Sequence, residues 1–228
     1  MKLVTGPCSM FGAKAEIAIQ EKGLDYEVEL VPFTLAKRYE PKHPEVLRVH
    51  PKAQVPLLFD GDLELFDSTL IFEYLEDAYP STPLWPTEPA ARALARKFEL
   101  KSDEQFFPHI LTLISPTVAR ESDEAEHALT AAAAFYEEVD ARLQRTPYLS
   151  GDSYGFTDIA FVSAYYFASA LGVRLKPGLA ALRAWRSRVA VRGPVQRVLG
   201  RTHEFLAANG LKPPGFLVAQ TAGQGSLV

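Results

Sequence analysis

The stretch His50-Pro51-Lys52-Ala53-Gln54-Val55-Pro56-Leu57-Leu58-Phe59-Asp60-Gly61, continuing through Leu63-Glu64-Leu65 to Asp67-Ser68-Thr69, decides how the rest of the chain is read. Proline has no N–H for a strand ladder, so Pro56, at the mouth of an apolar run, belongs at a strand's first residue or at a turn. A cis Val55–Pro56 bond is compatible with that place, but cis occurs at only about 5 to 6% of X-Pro bonds, so spacing alone does not demand it. Asp60-Gly61 between two apolar runs signals a hairpin. Asp67-Ser68-Thr69 then opens a helix in which Leu70, Ile71, Tyr74, Leu75 and Ala78 recur at helical spacing up to Tyr79-Pro80. The order strand, turn, strand, helix sets a proline-locked backbone edge beside a helix N-terminus. Such an arrangement suits a small peptide carrying a carboxylate.

Upstream, residues 2–5 read as a short strand. Residues 11–22 read as a helix with Ala15, Ala18 and Ile19 on one face, ended by Gly23. Residues 26–31 alternate as a half-buried strand, and a polar helix is expected over 36–49. A helical crossover between strands is usually parallel, whereas the Asp-Gly hairpin is antiparallel, so the sheet is expected to be mixed. Downstream, Tyr79-Pro80-Ser81-Thr82-Pro83-Leu84-Trp85-Pro86 interrupts helix and ladder alike. The expected division is an α/β domain over 1–79, a linker over 80–87, an all-helical domain over 88–210 and a loosely ordered tail over 211–228. Helices are expected over 88–114, 123–144, 156–171, 179–189 and 195–208.

With 228 residues, 47% of them hydrophobic and 23% charged, the chain has the composition of an ordinary soluble globular protein. A formal net charge of −4 gives no footprint for nucleic acid. The N-terminal residues lack the apolar core of a signal peptide, and no run approaches the roughly 20 apolar residues of a membrane span. A cytoplasmic protein without membrane or nucleic-acid partners is the expectation. One cysteine, Cys8, excludes an internal disulfide framework and any Cys-x-x-Cys site. The five histidines show no metal-ligand spacing, so no metal is implied.

Taken together, these segments resemble a cytosolic glutathione transferase of a bacterial, serine-using type. That family joins a thioredoxin-like α/β domain with a mixed four-stranded sheet to an all-α domain. The family pattern N-P-x-G-Q-V-P is matched by residues 50–56, with His50 for Asn and Ala53 for Gly. The E-S turn before a helix is matched by Asp67-Ser68. The capping segment G-D-x-x-S-x-A-D-I-A resembles Gly151-Asp152-Ser153-Tyr154-Gly155-Phe156-Thr157-Asp158-Ile159-Ala160, with Gly155 where the family has a hydroxyl N-cap. Glycine is a fair N-cap, and Asp158 at the third helical position can still bond back to the cap, so Asp158 reads as structural.

The resemblance implies glutathione as co-substrate, a hydrophobic electrophile as second substrate, and a homodimer. Val55, before Pro56, takes the cysteinyl backbone as an added strand does. Ser68 takes the γ-glutamyl carboxylate at a helix start, Asp67 the ammonium, and Gln54 bonds through its amide. Because the thiolate is the nucleophile, the bound thiol's pKa must be depressed from about 8.5. Ser9 falls where serine-using branches carry their thiol-holding hydroxyl; read blandly, it is a helix cap. Cys8 is its rival, one residue out of register, and would support thiol transfer instead. Phe11, Phe106, Phe107, His109, Ile110 and Tyr165 are candidates for the electrophile wall, although aromatics at helical spacing are more often core. Glutathione-dependent dehalogenation, ether cleavage and a non-catalytic binding module on the same fold stay open beside conjugation.

Overall fold

In the computed structural model, which describes residues 1–217, four short strands form one sheet in the order β2-β1-β3-β4. They are β1 Lys2–Thr5, β2 Glu27–Leu30, β3 Leu57–Asp60 and β4 Leu63–Phe66. β1 pairs parallel with β2 and antiparallel with β3, and β3 pairs antiparallel with β4, so the sheet is mixed. Gly61 takes φ 59° at the first position of the two-residue β3–β4 turn, the conformation that a type II′ hairpin asks of glycine. Asp60, at the end of β3, accepts hydrogen bonds from the hydroxyls of Tyr74 and Tyr79, which tie the hairpin to the helix that follows it.

Helices α1 Met10–Glu21 and α3 Ser68–Ala78 cover one face of the sheet, and the short α2 Pro44–Val49 covers the other. Ala15, Ile17, Ala18 and Ile19 are fully buried, so the predicted apolar face of α1 is the core face. On the α2 side a small cluster of Val4, Val31, Val46 and Leu57 suffices. Two segments differ from expectation. The helix predicted over 36–49 exists only as α2. Before it, Thr34 and Arg38 exchange two backbone hydrogen bonds and Glu40–Pro41 is cis; proline cannot donate in a helix, whereas Pro44 at the first helical position is tolerated. β2 is not half-buried: as the outer strand it leaves Val28 and Leu30 exposed, and only Val31, just beyond it, is buried.

The remaining helices are α4 Pro89–Lys101, α5 Phe107–Ile114, α6 Asp123–Leu143, α7 Phe156–Ala170, α8 Ala180–Ala190 and α9 Gly193–Ala208. The single helix expected over 88–114 is broken by a π-helical turn, Ser102–Phe106, in which the Phe107 N–H bonds to the Ser102 carbonyl. Pro108 explains the interruption, since its ring presses on the carbonyl four residues back and it has no N–H to give.

The α/β unit and the helices share one core, in which α1 packs on α7 and α9 and the rings of Phe72, Trp85 and Phe156 meet. The segment between α3 and α4 is pinned to this junction. Glu76, itself buried, accepts the N–H groups of Leu84 and Trp85 and the ammonium of Lys22 at 2.8 Å. Gly155 explains its own departure from a hydroxyl residue. A Cβ there would lie 2.1 Å from the Leu84 carbonyl oxygen, which instead accepts the Phe156 N–H at 3.0 Å. Of the segment expected to be a loosely ordered tail, Phe216 packs on Tyr165 and Tyr166, and Leu217 is buried; residues 218–228 lie outside the described residues.

Candidate functional site

A cavity of about 530 Å³ lies between the α/β unit and the π-helical turn with α5. The Val55–Pro56 bond in its floor is cis. Among the described residues, neither the N–H nor the C=O of Val55 enters a backbone hydrogen bond, so a main-chain donor and acceptor are left for an extended ligand. The turn leading to this edge is closed by the Ala53 N–H on the His50 carbonyl at 2.8 Å, and Ala53 adopts φ 49°. That left-handed conformation is where glycine stands in the pattern N-P-x-G-Q-V-P. Ala53→Gly is therefore expected to stabilise the protein by about 1 kcal/mol, seen as a higher urea midpoint with an unchanged slope.

Beside the edge, α3 begins. Asp67, at φ 71°, caps it by accepting the N–H groups of Thr69 and Leu70 through Oδ1. Its Oδ2 and the Ser68 N–H remain uncommitted among the described residues, an acceptor and a donor side by side at a helix N-terminus. Both residues line the cavity, as does exposed Gln54.

Ser9 caps α1: its hydroxyl oxygen accepts the Gly12 N–H at 2.9 Å. Capping uses a lone pair and leaves the hydroxyl proton available, and Ser9 lines the cavity, so the cap does not consume the hydroxyl's donor. Cys8 also lines it, half-buried, but burial pushes its thiol up to about 11 against the opposing pull of Arg38. At neutral pH it is a thiol rather than a thiolate.

At one end the cavity is basic. Lys42, His43, His50 and Lys52 line it, with His43 Nε2 3.0 Å from Glu29 and His50 Nδ1 accepting the Lys52 N–H at 2.9 Å. Burial lowers the His50 pKa, which suits a neutral ring whose Nδ1 accepts. The basic end was not foreseen, although Lys52 stands inside the motif that located the edge.

The opposite wall belongs to the helical part. Its Phe107, Pro108, Leu111 and Ile114 line the cavity, and Phe107 meets Phe11 of α1, which also lines it, edge to face at 4.7 Å. The other predicted wall residues are elsewhere. Phe106, Ile110 and Tyr165 are core residues, each at most 1% exposed, and His109 turns to His127 instead. Phe106 and Ile110, four apart, face inward while Phe107 and Leu111 face the cavity; both stripes are apolar, so sequence spacing does not separate them.

Beneath this wall lies an ionic cluster. Lys14 on α1, with no exposed surface, bonds to Glu99 at 2.7 Å and to Asp103 in the π-helical turn. The Thr69 hydroxyl donates to the same Glu99 at 2.8 Å. Burial alone works against the Lys14 charge, but the two carboxylates outweigh it and the net shift is upward. One cation between two carboxylates leaves a negative charge in excess, and burial pushes Asp103, which lines the cavity, up to about 6. Among the described residues no group of three or more His, Cys, Asp or Glu side chains is placed to hold a metal, and no helix is long and apolar enough to cross a membrane.

Comparison with known proteins bears on this site. Residues 3–83 match the family model described as "Glutathione S-transferase, N-terminal domain", and residues 102–192 match "Glutathione S-transferase, C-terminal domain". Glutathione S-transferase 3 of Zea mays is 30% identical over 227 residues, spanning 94% of this chain and 96% of its own. A Stringent starvation protein A homolog of Pasteurella multocida is 27% identical over 204 residues, with 88% and 90% covered. Among solved structures, the theta class glutathione S-transferase of Xanthomonas axonopodis pv. citri with glutathione bound superposes with a TM-score of 0.73 at 29% identity, over 86% of this chain and 95% of that one.

Proposed function

Since the chain belongs to the glutathione S-transferase family, we propose that it binds reduced glutathione along the Val55 edge and conjugates it to a hydrophobic electrophile. The Val55 main-chain groups take the cysteinyl unit, Asp67 and Ser68 the γ-glutamyl end, and the basic end of the cavity the terminal carboxylate. Gln54 adds its amide. This placement sets the sulfur near the start of α1, where the Ser9 hydroxyl donates to it and the helix dipole favours negative charge. The thiolate attacks an electrophilic carbon lodged against Phe11 and Phe107. A C–S bond forms, the leaving group departs with its bonding pair, and the thiol proton passes to solvent.

The observation that carries the reading is that Ser9, whose hydroxyl oxygen caps α1 and whose proton has no acceptor among the described residues, lines the same cavity as an unpaired main-chain edge and an apolar wall. Dehalogenation and ether cleavage use the same attack with a different leaving group. A Cys8-based thiol transferase is disfavoured by the raised Cys8 pKa. Ser9→Ala is expected to lower kcat/KM for chlorodinitrobenzene with glutathione by about 10- to 100-fold, the loss of one charge-assisted hydrogen bond, and Cys8→Ala by less than twofold. Equal rates in all three proteins overturn the assignment of Ser9.

A second reading, a glutathione-binding module without catalysis, is favoured by one observation: the relatives include Stringent starvation protein A homologs beside named transferases. Retention on immobilised glutathione without turnover of any activated halide would support it. Either reading places the protein in the cytoplasm as a homodimer; light scattering that finds only monomer counts against the dimer.

A further inference from the structure

Glu104, in the π-helical turn, and Phe107, Pro108 and Leu111, on α5, all line the cavity. Three of the four give the electrophile an apolar surface, and the fourth is a carboxylate. Glu104 is exposed and has no hydrogen-bond or ion-pair partner among the described residues. The cations nearby are committed elsewhere. Lys14 is sealed beneath the wall between Glu99 and Asp103, and Arg38 at the far end donates to the Ile114 carbonyl. The other basic lining residues, Lys42, His43, His50 and Lys52, lie toward α2, where the glutathione carboxylate belongs on the reading above; Lys42 is paired with Glu40 and His43 with Glu29.

Resting on that reading, we infer that Glu104 selects the electrophile by charge: it favours an apolar body bearing a cationic or hydrogen-bond-donating group and disfavours an anionic one. A unit charge about 4 Å from a carboxylate in water-like surroundings changes affinity roughly fivefold, so cation and anion separate by about tenfold or more. Salt narrows the gap, because the carboxylate is exposed.

The test is calorimetric titration of the full chain with three S-(2-nitrophenyl)glutathiones that carry trimethylammonium, nitro or carboxylate at ring position 4, beside free glutathione. The expected result is that the wild type binds the cationic conjugate about tenfold more tightly than the anionic one at low salt. The ratio falls at least threefold in Glu104→Gln, in which Asp103 still lines the cavity, and falls further in Glu104→Lys. A wild type that binds glutathione with no preference by charge overturns the inference and leaves the glutathione site standing, as does a preference undiminished in Glu104→Gln. Failure to bind glutathione or any conjugate overturns the glutathione reading, and this inference with it.

Discussion

Lys14→Met is expected to destabilise the protein by about 3 to 5 kcal/mol, because it strips the cation from two carboxylates that stay behind in the interior. Methionine fills much of the lysine stem's volume, so the loss is electrostatic rather than a cavity. Glu99 keeps only the Thr69 hydroxyl, and Asp103 loses its one hydrogen-bonded partner. The rings of Phe11 and Phe72 also lose a cation at 5.4 and 5.1 Å. The measurement is urea unfolding, with Lys14→Met/Glu99→Gln/Asp103→Asn as comparison. Removing all three charges should recover more than half of the loss, and a triple variant less stable than the single one contradicts an electrostatic origin.

Asp158→Ala is expected to cost on the order of 4 kcal/mol, a fall in Tm of about 10 °C. The carboxylate is completely buried, and burial raises its pKa, yet it accepts four hydrogen bonds. Oδ1 takes the Leu149 N–H at 2.8 Å and the Trp185 indole N–H at 2.7 Å, and Oδ2 takes the Ser150 and Gly155 N–H groups at 3.2 and 3.1 Å. Truncation leaves four buried donors without an acceptor, each worth roughly 1 to 3 kcal/mol when unsatisfied, with entering water offsetting part. Asp158→Asn is expected to rescue little, since its amide NH₂ faces two N–H donors or displaces the indole. A Tm within 2 °C of the wild type for either variant contradicts this account.

The half of the cavity formed by the Val55 edge and the start of α3 was legible because its determinants are local. A proline before an apolar run, an Asp-Gly turn and an Asp-Ser helix start lie within 19 residues, and each acts on neighbouring backbone. The capping role of Asp158 was legible for the same reason, through its bond to Gly155, but its reach to Trp185 was not. Lys14 left a partial signal, since it shares a helical face with Ile17 and Ala18, both buried. Its partners, 85 and 89 positions along the chain, left none. The wall was misread because two adjacent stripes of one helix are apolar and only tertiary contact decides which meets the cavity. The basic residues at the α2 end of the cavity, Lys42, His43, His50 and Lys52, flank that short helix on both sides, and their spacing does not show that they face one cavity.

The π-helical turn decides how the chain on its two sides can change. It holds one residue more than an α-helical turn, so deleting one residue between Ser102 and Phe106 would restore ordinary winding and leave Phe107 and Leu111 in phase with α4, still toward the cavity. Deleting one residue inside α5 would instead turn the positions beyond it by about 100° and exchange the side chains that line this wall. The Val55 edge, the start of α3 and Ser9 lie on other elements and keep their positions in either case.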